Sequence, residues 1–144
     1  MNWSEFQDTA ERLAQRASQG DWRSAISRCY YAVFHYFREF FLSHSLDIGQ
    51  GGQSHNNLYT GLNNCGIPAV AAIGIRVNDL RLSRVSADYE LSLAIGRSLA
   101  STAVQEARAI ITDFQALLST IAPSQIAAGA KTYLKSIGRL GRTP

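Results

Sequence analysis

The chain has 144 residues, 46% of them hydrophobic and 17% charged, with a formal charge of +3. That length and balance suit one ordinary domain able to bury a core without disulfides or metal, and argue against a disordered, fibrous or staple-dependent protein. Of the 14 basic residues 12 are Arg, a usage that suits bidentate phosphate contacts and base stacking and that a GC-rich genome also produces. Cys29 and Cys65 lack the spacing of a zinc site and the density of a secreted disulfide scaffold, so they read as free thiols in a reducing compartment. The N-terminus "MNWSEFQDTAERL" has no basic-then-apolar order, and no apolar run approaches the roughly 18 to 20 residues of a membrane span. The expectation is a soluble, cytoplasmic protein with no membrane partner.

The first element is an amphipathic helix: Trp3, Phe6, Ala10, Leu13 and Ala17 recur at spacings of three and four, Asn2 or Ser4 can cap it, and Gly20 ends it. Asp21 then offers a fresh N-cap for a long second helix from Trp22 to His44, a stretch without Pro or Gly. "SLDIGQGGQS", residues 45–54, reads as a mobile loop, and "SHNNLYTGLNNCG" as a short, weak helix at best. Pro68 suits the first turn of the next helix, "PAVAAIGIRVNDLRLSR". After "VSADYE" the longest periodic run extends from Leu91 to Ile121, with Leu91, Ala94, Ile95, Leu99, Thr102, Ala103, Ile110, Phe114, Leu117 and Leu118 near one stripe, and Pro123 stops it. Residues 122–144 form a basic tail, either a weakly docked helix or disordered. No run of short β-branched segments suggests a sheet. The expected fold is all-α, an antiparallel bundle of four to five helices over residues 1–121.

The second helix contains "SAISRCYYAVFHYFREFF", which packs seven aromatics into residues 24–41 together with Arg28 and His35. At about 100° per residue, Ile26, Tyr30, Val33, Phe37 and Phe41 fall on one face and form its core side. Arg28 and His35 project from the other side, in a stripe with Ser24, Tyr31, Ala32 and Glu39. Phe34, Tyr36 and Phe40 carry apolar character around the flanks, which calls for a second cover, and a second copy of the chain is one such cover. Chemically, an Arg can neutralise a phosphate or a pentavalent phosphorus centre and a His can move protons near neutral pH. Those are the roles that metal-independent RNA cleavage needs, and Tyr31 could stack on a base. The same Arg and His can equally form a satisfied polar seam, for example with Glu39 or Asp88.

The stretch resembles the HEPN domain proteins (higher eukaryotes and prokaryotes nucleotide-binding), in particular a small bacterial branch reading Ser-Arg-x-Tyr-Tyr-Ala-x-Phe-His. "LRLSRVSADYE", residues 80–90, is similar to that branch's Arg-x-x-Ala-Asp-Tyr element, and the likeness extends over about residues 3–120. It implies an all-α bundle, usually a homodimer, often encoded beside a small nucleotidyltransferase as a toxin–antitoxin pair. Many members are metal-independent ribonucleases whose Arg and His are separated by four to six intervening residues, with the two copies meeting across the dimer cleft. Arg28-x6-His35 fits that spacing, although here Cys29 follows the Arg where a polar residue is common, and the later helix offers Arg84, Asp88 and Tyr89 without a His.

Arg28 and His35 are thus the expected catalytic pair, and Tyr31, Arg81, Arg84, Asp88 and Tyr89 the expected RNA or nucleotide contacts. Asp88 also reads as an N-cap of the long helix and Tyr89 as a core aromatic. His44 and His55 flank the glycine-rich loop without a supporting acid or thiol cluster, so no metal is expected. "GQGG" lacks the Lys and the strand of a phosphate loop, and no cofactor is expected. Lys131, Lys135, Arg139 and Arg142 could touch RNA electrostatically or simply be a solvated terminus. Two functions follow: a ribonuclease of a toxin–antitoxin or defence system, or a non-catalytic module that pairs with a nucleotidyltransferase or binds a nucleotide.

Overall fold

The structure, a computed structural model, describes residues 1–140. Among them are six helices and no strand: α1 (Trp3–Ala14), α2 (Gln19–Ser43), α3 (Gly52–Asn63), α4 (Pro68–Tyr89), α5 (Arg97–Leu117) and α6 (Pro123–Ser136). None of the described helices is long and apolar enough to cross a membrane.

Local chemistry sets the helix ends. Asn2 caps α1 by accepting the Ser4 N–H at 2.9 Å while the Glu5 carboxylate accepts the Asn2 N–H at 2.7 Å, a reciprocal capping box. α2 starts earlier than the acidic cue at Asp21 suggests, because the Ser18 hydroxyl accepts the Asp21 N–H at 3.1 Å and so draws Gln19 and Gly20 into the first turn. α3 runs for 12 residues where a weak helix was expected, which takes the count beyond the four to five helices expected. It is anchored by buried Leu58 and Leu62 and by Asn57, whose amide donates to the Ile48 carbonyl at 3.1 Å.

Two sequence boundaries move. α4 continues through "VSADY" to Tyr89, and residues 90–96 form a turn rather than the start of the last long helix. Much of the early part of the expected stripe therefore falls out of the core: Leu91, Ala94 and Leu99 are exposed, although Ile95 is buried, while Ala100, Ala103, Val104, Ala107, Ile110, Ile111 and Phe114 supply the buried face of α5. Residues 123–136 form α6, which buries Ile126, Ala127, Ala130 and Leu134. Arg142 lies outside the described residues.

The helices fall into two compact units, each drawing on two separated segments: Met1–Tyr36 with Val77–Thr112, and Phe37–Arg76 with the segment from Asp113 on. In the first, Trp3 meets Tyr36 edge-on at 5.3 Å between ring centroids, and Ile26, Tyr30 and Val33 are buried as their spacing requires. In the second, Phe114 sits edge-on to both Phe37 (4.8 Å) and Phe40 (5.0 Å). There α6 lies so close to the end of α3 that a Cβ on Gly129 would stand 2.0 Å from the Cys65 carbonyl oxygen. Glycine is required at that crossing. Of the flank aromatics of α2, Phe34 and Phe40 are buried and Tyr36 is half-buried.

Candidate functional site

The site belongs to the first unit and is built on an i, i+4 ladder of α2: Arg23, Ser27, Tyr31 and His35. Successive turns of one helix put these four on one stripe. Three of them hold the last two turns of α4. The Arg23 guanidinium donates to the carbonyl of Ala87 in the last turn of α4 (2.8 Å) and to those of Glu90 (3.2 Å) and Leu93 in the turn that follows, tying the helix end and the turn to α2. Ser27 Oγ donates to Asp88 Oδ2 at 3.2 Å. The Tyr31 hydroxyl accepts from Arg84 Nη2 at 2.9 Å.

Arg84 is held by several neighbours. Its Nε lies 3.0 Å from Asp88 Oδ2, close enough for an ion pair although its N–H does not point at that oxygen, and its Cζ stands 5.2 Å from the Tyr31 ring centroid and 5.8 Å from that of Tyr89. Asp88 therefore sits in the last turn of α4, paired with Arg84 and Ser27, and does not cap the following helix, which begins at Arg97. Tyr89 is 71% exposed and is not a core aromatic. Arg81, one turn before Arg84, donates from Nε to Asn78 Oδ1 at 3.0 Å. Burial drives the Tyr30 hydroxyl far above its ordinary pKa, against the opposing pull of the charges on Arg81 and Arg84, so Tyr30 stays a neutral core ring.

Arg28 differs from Arg84. Its guanidinium lies over two rings, 5.2 Å from the Tyr31 centroid and 5.6 Å from that of Phe6, and it has no carboxylate partner among the described residues. Tyr31 thus carries a guanidinium contact from both Arg28 and Arg84. His35 is half-buried, its ring tilted at 34° against Phe6 with centroids 4.9 Å apart and edge-on to Phe34 at 5.3 Å. Phe6, from α1, is the surface that Arg28 and His35 share. Cys29, beside Arg28 in sequence, is no nucleophile: burial pushes its thiol up to about 12.

Arg28, Tyr31, His35, Arg84, Asp88 and Tyr89 accordingly form one connected cluster, and Arg81 stands next to it on α4. Sequence reasoning missed Phe6, Arg23 and Ser27. The i, i+4 repeat through Arg23, Ser27 and Tyr31 to His35 was visible in the sequence, whereas nothing there paired Phe6 with His35. Among the described residues no three His, Cys, Asp or Glu side chains converge as a metal-binding group. The cluster can present a guanidinium over aromatic rings, an imidazole beside it and an exposed phenol at its edge, a set suited to phosphate and base contacts. No family model, no curated protein and no solved structure matches the chain.

Proposed function

We propose that the chain is a HEPN-type protein that acts on RNA, as the metal-independent endoribonuclease of a toxin–antitoxin or defence pair. The observation that carries this reading is the state of Arg28: a guanidinium held on Phe6 and Tyr31, unmatched by any carboxylate among the described residues, with His35 against the same Phe6 ring. A cation so placed has its charge left for a phosphate. In the proposed reaction the 2′-hydroxyl attacks phosphorus and gives up its proton while the 5′-oxygen leaves and takes one; His35 moves these protons and Arg28 neutralises the phosphorus centre. Tyr89, exposed at the edge of the cluster, offers a face for a base, and Tyr31 backs the Arg28 guanidinium. The homodimer, the nucleotidyltransferase partner and the cytoplasmic setting rest on the family resemblance and the composition.

A second reading, a non-catalytic binding module, draws support from the Arg84, Asp88, Ser27 and Tyr31 bonds, which serve α4 rather than a ligand. Cleavage of a labelled single-stranded RNA in EDTA by wild type and His35→Ala separates the two. The nuclease reading expects cutting by wild type and at least about a 100-fold loss in the mutant, the scale of a general acid–base contribution. RNA bound but left intact by both proteins would establish the module.

A further inference from the structure

The formal charge is not shared between the two units. The segments of the first carry eight basic and eight acidic residues, those of the second six basic and three acidic, so the whole +3 belongs to the second. Within it, nothing from residue 114 to the end is acidic, while Lys131, Lys135, Arg139 and Arg142 are basic.

α6 shows how three of these are displayed. Its apolar face, Ile126, Ala127, Ala130 and Leu134, is buried, and Gly61 of α3 has room for a Cβ only 3.4 Å from that of Ala130. Lys131 and Lys135 are one turn apart. The helix then ends in a Schellman motif: Gly138 at φ 72° donates its N–H to the Lys135 carbonyl at 3.1 Å, and Arg139 donates its N–H to the Leu134 carbonyl at 2.9 Å. That fold-back fixes Arg139 beside the last turn. Lys135 and Arg139 are exposed, Lys131 is half-exposed, and none of the three has a carboxylate partner among the described residues. Attraction to the carbonyl end of the helix accounts for a cation at Lys135 alone.

We propose that this face of α6 is a docking track for the phosphate backbone of single-stranded RNA, an inference that rests on the reading of the chain as RNA-acting and adds a second contact region to it. Cations without a carboxylate partner among the described residues, two of them one turn apart on α6 and the third just past its end, release counterions when phosphates bind them, which gives affinity without sequence preference. An anionic membrane is the weaker occupant. A helix that lies on lipid must offer it an apolar face. α6 spends its own against the protein, and Ile137 is the only large aliphatic side chain from Pro123 to Leu140 that is markedly exposed.

The test is the salt dependence of binding of a labelled single-stranded RNA by the full chain, comparing wild type, the triple variant Lys131→Gln/Lys135→Gln/Arg139→Gln, the control Arg12→Gln/Arg16→Gln in the first unit, and Arg28→Ala. The track predicts that the triple variant lowers the slope of log K against log salt by about 2, from three contacts at roughly 0.7 each, while the control keeps the wild-type slope. An unchanged slope in the triple variant, with affinity lost only in Arg28→Ala, overturns the track and leaves the proposed function standing. Equal losses in triple variant and control would reduce the effect to net charge and overturn it too. Binding to phosphatidylserine vesicles but not to RNA replaces the track with a membrane contact, and absence of RNA binding by wild type removes both readings.

Discussion

The two units hold themselves together differently. The first fixes the end of α4 with directional bonds from α2: Arg23 to backbone carbonyls, Ser27 to Asp88 and Arg84 to Tyr31. The second relies on shape, with Phe114 between Phe37 and Phe40 and glycines where α3 meets α4 and α6. Directional bonds consume polar groups, so in the first unit the informative residue is Arg28, a guanidinium held over two rings and paired with no carboxylate among the described residues. In the shape-packed unit Arg76 pairs with Asp113 at 2.8 Å, while the basic residues of α6 face outward.

The sharpest way to break the comparison is at the glycines. A Cβ at Gly129 would meet the Cys65 backbone carbonyl, which cannot rotate away as a side chain would, so Gly129→Ala is expected to cost about 3 kcal/mol or more despite the better helix propensity of Ala. Gly61→Ala, at ordinary van der Waals distance from Ala130, should lie within about 1 kcal/mol of wild type. Denaturant unfolding of the two variants decides it, and equal effects would mean that shape does not govern the second unit.

In the first unit the corresponding cut is Arg23→Ala, which removes the bonds to the carbonyls of Ala87, Glu90 and Leu93 and should cost roughly 1–3 kcal/mol. Arg23→Lys should recover little, because an ammonium cannot fork across separate carbonyls. Faster hydrogen exchange confined to the end of α4 would locate the loss, and full recovery by Lys would show that charge alone suffices.

Both thiols should resist alkylation at pH 8 until the protein unfolds, since burial raises Cys29 and Cys65 alike. The sign for stability follows. Above the ordinary thiol pKa the unfolded chain loses a proton that folded Cys29 keeps until about 12, so stability falls as pH rises through that window. One thiol reacting quickly in the native protein would contradict the burial.

The smallest effect is expected at Glu11, whose carboxyl is lowered first by its hydrogen bond from Arg108. A carboxylate with a depressed folded pKa contributes stability above its unfolded value and loses it as pH falls through the folded one. Because the pair is largely exposed, Glu11→Gln should remove only about 0.2–0.5 kcal/mol of acid-side slope, seen as a slightly flatter melting curve against pH below neutrality.

What the sequence made legible follows from where its signals come from. Ile26, Tyr30, Val33, Phe37 and Phe41 share a face because the helical period dictates it, and all five are buried. The alternative reading of Asp88 as a cap came from residue type, which favours caps, whereas Arg84 and Ser27 hold it at a helix end of the opposite polarity. α6 was indistinct because its buried face includes two alanines and its crossing needs Gly129, small residues that carry little hydrophobic signal yet permit close approach. The meeting of Phe6 with Arg28 and His35 depends on how α1 packs on α2, which no local pattern records.

The claim that most needs testing is the division between consumed and available arginines. Affinity for single-stranded RNA and unfolding free energy should be measured side by side for Arg28→Ala and Arg84→Ala. The account predicts that Arg28→Ala weakens RNA binding with little loss of stability, while Arg84→Ala loses stability because Asp88 and Tyr31 are left behind. Unchanged RNA affinity in Arg28→Ala, with the loss of binding falling instead on a folded Arg84→Ala, would contradict it.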